Sequence, residues 1–253
     1  RYASGEKIHC KFAVRNSPIS FYVNDTFTNG DIYTLSPGSV TNIGLSAGQP
    51  MLFLQTVLST YDLEEGDVVY VDTGTYSINE EVYVGQLDSA NSTNALPVII
   101  QGSTNYAVGG TVFDRQGGAY GIRLSEVIGV TLRNLSICNA SVGVRLYQSP
   151  AVECDRLEIQ GGTRGFDVER LEAGSYMFRH CLVRNTSGNG LYVRGAAVQW
   201  LNGILWSNLQ AGVVLEGGDA IIRNSVIGSF GEGQYAFYLI GGRLDSDYND
   251  IFL

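Results

Sequence analysis

Apolar and polar positions alternate in short runs along most of this chain, and from about residue 130 the runs recur. Val130–Ile137, Val152–Ile159, Tyr176–Val183, Val198–Leu205 and Ala220–Ile227 start 22, 24, 22 and 22 residues apart. Each reads as a short strand, one turn residue and a second short strand. A further series follows the same period: Gly121–Leu124, Gly143–Leu146, Gly165–Val168, Gly190–Val193, Gly212–Leu215 and Ala236–Leu239. Strands this close together leave no room for the helix that a crossover between parallel strands ordinarily needs, so the chain must coil. The pattern predicts an all-β fold, a parallel β-helix in which equivalent residues of successive turns stack into ladders.

Period-two alternation then assigns the faces. Val144, Phe166, Leu191, Val213 and Phe237 form one inward column, and Leu146, Val168, Val193, Leu215 and Leu239 the next. Outside them lie Arg145, Asp167, Tyr192, Val214 and Tyr238, and then Tyr147, Glu169, Arg194, Glu216 and Ile240. The corner between the first two strands carries Asn134, Arg156, His180, Asn202 and Asn224, and asparagine tolerates the left-handed torsion angles of a one-residue bend. His180 therefore reads as a turn residue. The first 66 residues do not repeat. They divide the chain into an N-terminal segment with its cap, 1–66, and a coil, 67–253, that ends within a turn. Pro50 to Tyr61 reads as a helix of about three turns with proline at its first position, placed to cover the open end of the coil.

The motifs Tyr22–Asp25, Gly44–Ala47 and Gly66–Tyr76, followed by the Arg-Asn corners at Arg133-Asn134 and Arg223-Asn224, carry a family likeness. The chain resembles the right-handed parallel β-helix superfamily of pectate-lyase-like proteins, and more narrowly the repeat modules of large bacterial surface or secreted proteins. The resemblance implies an extracellular or cell-surface location and a polysaccharide or glycoprotein partner, or copies of itself or neighbouring domains. It spans polysaccharide lyases, hydrolases, epimerases, tailspikes and adhesins, so fold alone does not assign an activity. The Asp-Asp pair, Gly-His-Gly and Arg-x-Lys of polygalacturonase-like hydrolases are missing here, as is the Asp-Pro-His-Glu of mannuronan epimerases. The expected function is thus a non-enzymatic structural or adhesive module that can bind glycan. The alternative is a polysaccharide lyase, hydrolase or epimerase working around Asp167 and Glu169.

Composition narrows the choice further. A net charge of -9 leaves nothing to neutralise a row of phosphates, which excludes a general nucleic-acid binder. Lys7 and Lys11 are the only lysines, so the coil has no amine for Schiff-base chemistry. No apolar run reaches the 18 or so residues of a spanning helix.

Asp167 and Glu169 share one side of a strand, with Arg145 in the turn before and Arg194 in the turn after. Such carboxylates can do acid–base work on a glycoside or hold Ca²⁺; the plainer reading is a ladder of alternating charge. No other cofactor is expected. Tyr147, Tyr192 and Tyr238 point outward and can stack on sugar rings. Cys154 and Cys181 read as core thiols, with no pairing between adjacent turns. Met177, Leu182, Leu201, Ile204, Ile221 and Val226 turn an outer flank apolar in the later turns, as an interface would.

Overall fold

The computed structural model describes residues 18–170, 174–229 and 233–253. They form a parallel β-helix whose strands pair only with the equivalent strands of neighbouring turns. Three faces result. Face A stacks Ser20–Val23, Val68–Val71, Val98–Gly102, Val130–Arg133, Val152–Asp155, Ser175–Arg179 and Ala197–Leu201, and continues into the second half of Ala211–Arg223. Face B follows one corner later and includes Glu158–Gln160, Leu182–Arg184, Ile204–Trp206, Val226–Gly228 and Asp250–Phe252. Face C closes each turn and includes Val82–Val84, Arg164–Glu169 and Asn189–Arg194.

The expected inward columns are in register. Val144, Phe166, Leu191, Val213 and Phe237 align, as do Leu146, Val168, Val193, Leu215 and Leu239. Phe166 of face C meets Phe178 and Trp200 of face A at centroid distances of 4.7 and 5.8 Å, so aromatic edges tie two faces together across the core. Leu239, in the last described turn, is an exception to burial at 49% exposed. The outward series holds up to Glu216, which pairs with Gly241 rather than Ile240, because a bulge follows Leu215.

From Asn134 onward the corner between faces A and B is one residue with positive φ: Asn134, Arg156, His180, Asn202, Asn224 and Tyr248 all lie between 51° and 56°. Asparagine suits the position, yet arginine, histidine and tyrosine also occupy it, so the stacked strands on either side impose the conformation. The glycine column answers a different constraint. A Cβ on Gly121, Gly143, Gly165, Gly190 or Gly212 would run into the inward side chains of face B, respectively Ile137, Ile159, Val183, Leu205 and Ile227. In these five turns the start of face C has no room for a Cβ, while Ala236 holds the equivalent place in the next turn.

At the N-terminal end the helix is shorter than its sequence pattern suggests, spanning Leu54–Thr60. Met51 is drawn instead into β-bridges with Val23 and Ser39, and its N–H donates to the Tyr22 carbonyl at 2.9 Å. Pairing with the first strand thus outcompetes the helical start at Pro50. Leu54, Val57 and Leu58 are buried and close the core as a cap. Ser20–Val23 already belongs to the face A ladder, inside the segment read as non-repeating. The loop between this strand and the helix is pinned by Asp72, whose carboxylate accepts from the N–H groups of Ile32, Tyr33 and Thr34 at 2.7–2.8 Å.

Cys154 and Cys181 are both buried, and burial raises both thiols, Cys181 to about 12. They occupy different columns of adjacent turns and are not bridged: Cys154 is in register with Phe178, and the Cys181 thiol donates to the Cys154 carbonyl at 3.4 Å.

Gly165→Ala tests the narrow corner. Forcing a methyl group against Val183 is expected to cost about 1–3 kcal/mol of stability, read as a lower denaturation midpoint, whereas Gly48→Ala, with open space around it and no left-handed backbone, makes no such contact.

Candidate functional site

Face C presents three outward columns. They run Tyr120, Val142, Arg164, Asn189, Ala211, Tyr235; then Arg123, Arg145, Asp167, Tyr192, Val214, Tyr238; then Ser125, Tyr147, Glu169, Arg194, Glu216. Parallel in-register stacking therefore brings Arg145, Asp167, Glu169 and Arg194 together, as expected. Arg145 donates to both Asp167 and Glu169. Arg164, three positions ahead of Asp167 and outside the expected set, adds a bond to the second Asp167 oxygen at 2.7 Å. Arg194 lies 3.7 Å from Glu169 and 3.3 Å from Glu216.

The result is a closed lattice of three guanidinium groups and three carboxylates. Asp167 is only 4% exposed, with both oxygens taken by arginines. Burial alone would lower the Arg145 pKa, but the neighbouring Asp167 and Glu169 carboxylates more than offset it and hold the value up. Two cations already occupy the Asp167 oxygens, which opposes a divalent ion there. Among the described residues no group of three or more His, Cys, Asp or Glu side chains is placed to hold a metal.

Tyr192 corrects the sequence reading. It points away from the coil but is 8% exposed, because the Arg164 guanidinium lies 4.0 Å above its ring and its hydroxyl donates to Glu216. Burial raises its pKa, with the Glu216 bond adding to the shift; that bond lowers the Glu216 pKa in turn. Tyr147 sits in a different column, 5.8 Å from the Arg145 guanidinium. Tyr238 is 44% exposed and pairs with Tyr235 at 5.2 Å. Tyr235 falls outside the repeat pattern used to choose candidates, so sequence reasoning passed over it.

Beside the lattice, where face B turns into face C, the surface is concave. Gln116, Asn139, Ser141, Thr163, Asn185 and Ser187 line a trough of about 650 Å³. It continues past Arg164, Asn189 and Gln210 and ends against Tyr192, Leu209, Tyr235 and Tyr238. The left-handed corner residues Gln116, Asn139, Asn185 and Ser207 turn the chain sharply here and set its polar side chains side by side. Short loops between stacked turns leave the trough open along its length.

The apolar flank is divided. Leu182, Ile204 and Val226 are register neighbours on face B, and Ile204 is 40% exposed. On face A, Gln199 separates Met177 from Ile221, while Leu201 stands between Arg179 and Arg223.

No protein-family model matches the sequence, and no curated protein matches it. Among solved structures, a rhamnogalacturonan lyase aligns over 89% of this chain and 62% of its own, with a TM-score of 0.61 and 15% identity. A pectate lyase, Pel9A, aligns over 92% of this chain and 80% of its own, with a TM-score of 0.40 and 14% identity. The fold is the pectate-lyase-like parallel β-helix, and this chain spans 62% of the rhamnogalacturonan lyase's length.

Asp167→Asn leaves two guanidinium groups without their shared partner. Its expected consequence is a loss of stability at the lower end of about 3–5 kcal/mol, since Arg164 is partly solvated. Chemical denaturation checks it: an unchanged midpoint would mean the lattice is not structural.

Proposed function

We propose that this chain is a non-catalytic, polysaccharide-binding β-helix module of an extracellular or cell-surface assembly, with the glycan lying along the trough. The observation that carries this reading is the trough's continuity: amides and hydroxyls along its length, the guanidinium of Arg164 beside them held by Asp167, and a tyrosine pair at its end. Hydroxyl-rich chains are recognised by such amides, and aromatic rings take up the apolar faces of sugars. The adjoining lattice is neutral as a whole, so an uncharged glycan suits the site better than a polyanion, and binding requires no Ca²⁺.

The alternative, a lyase, hydrolase or epimerase around Asp167 and Glu169, draws on the position of those carboxylates beside the trough and on two structural neighbours named as lyases. It would need Arg145 and Arg164 to release Asp167 before that group could move a proton.

Calorimetric titration with neutral and uronate oligosaccharides separates the two. A tyrosine stack and a hydrogen bond are each worth about 1 kcal/mol, so the double variant Tyr238→Ala/Gln210→Ala is expected to bind neutral glycan about 30-fold more weakly. New unsaturated or reducing ends that vanish in a folded Asp167→Asn variant would move the function to the alternative.

A further inference from the structure

We infer that the groove beside the cap helix docks a basic peptide segment of a partner protein, with an apolar side chain of that segment seated against the helix. The helix Leu54–Thr60 leaves open space next to it. Phe53, Thr56, Ile78 and Phe113 help to line a cavity of about 400 Å³, and Leu58, Tyr83 and Leu87 a second of about 420 Å³. The two share Gln55 and Ser59. The Gln55 side-chain oxygen accepts from the Tyr83 N–H at 2.7 Å, which ties the helix to the strand Val82–Val84 where the cavities meet. Each cavity alone is of small-ligand size, and joined they make a groove for a short extended segment. Its apolar walls are open to solvent, with Phe53 41% and Leu87 56% exposed.

Charge identifies the occupant. Between residues 16 and 114 the chain has eleven Asp and Glu residues and no Lys, Arg or His, whereas residues 115–253 balance twelve arginines against thirteen carboxylates. The net charge of -9 is therefore gathered in the first turns, where the groove lies. Two arginines of the next turn come close to it, and both are engaged. Arg115 donates to the carbonyls of Ile78 and Asn79 at 3.3 and 2.7 Å, and Arg123 holds Glu81 at 3.1 Å. Glu80, exposed on the cavity wall, forms no ion pair among the described residues. A field of one sign draws in a partner of the other sign and rejects acidic ones, while an apolar cavity within it fixes where that partner binds. Lysine or arginine next to an aromatic or branched aliphatic residue meets both conditions. A second copy of this chain brings no surplus of positive charge in its described residues.

The test is calorimetric titration of the whole chain with three synthetic hexapeptides, alternating lysine with phenylalanine, lysine with serine, and glutamate with phenylalanine. The expected result is saturable binding of the lysine–phenylalanine peptide, at least about tenfold weaker binding of the lysine–serine peptide, and none of the acidic one. Thr56→Trp, which fills the cavity from the helix, should weaken binding by a similar factor. Glu80→Gln should weaken it measurably, whereas Glu65→Gln, an equal loss of charge outside the groove, should not. Equal affinity for the lysine–serine peptide, wild-type affinity in Thr56→Trp, or equal losses in Glu80→Gln and Glu65→Gln would overturn the inference, the last by reducing it to diffuse attraction. Self-association in light scattering that Thr56→Trp abolishes would give the groove to a second copy and overturn it too. Should Thr56→Trp not fold, NMR contacts between the bound peptide's phenylalanine ring and Ile78 in the wild type decide the matter, and their absence counts against it. The inference does not depend on the trough: neutral-glycan binding tests that proposal, and peptide binding tests this one.

Discussion

Everything in this molecule depends on how closely face B approaches the start of face C. In five successive turns, from Gly121 to Gly212, the backbone of a glycine at that corner lies against an isoleucine, leucine or valine of the opposite wall. The turn must therefore keep nearly constant length, and each strand must sit directly over its predecessor. Stacking of inward Val, Leu, Ile and Phe residues supplies the stability, with about 1.5–3 kcal/mol of transfer free energy for each fully buried aliphatic side chain. The glycine column decides where those residues go.

Outward chemistry follows from the same register. Because the strands are parallel and unshifted, residue i of one turn meets its equivalent in the next, and like charges would repel along the whole coil. Arg123 does stack on Arg145 but is drawn to Glu81 at 3.1 Å, and beyond them the chain alternates Arg145, Asp167 and Tyr192 in one column and Glu169, Arg194 and Glu216 in the other. The lattice is then a condition of stacking, which explains why its carboxylates are fully engaged. The trough has a related origin. The turn from face B to face C uses left-handed single residues, and the polar side chains of three of them, Gln116, Asn139 and Asn185, line the trough.

The coil, its inward columns and its asparagine corners were legible because each is a local pattern repeated at fixed spacing. What escaped the sequence came from contacts without a period. Alternation tells which way Tyr192 points but not that Arg164 lies over it, since cover depends on side-chain length in a neighbouring column. Tyr33 and Tyr106 sit in segments that fold back over face A, and nothing in their spacing marks the contact with Tyr70 or Asn134. Met51 was read as helical because its own neighbours favour a helix, while the competing partner, Val23, is far away in sequence.

The central claim is that glycan is held in the trough while the charged lattice beside it stays closed. A crystal structure with a neutral oligosaccharide bound tests this most directly. The account predicts sugar rings between Asn139 and Tyr238, with Asp167 still bonded to Arg145 and Arg164. Sugar lying over an opened lattice, in contact with Asp167 or Glu169, would contradict it.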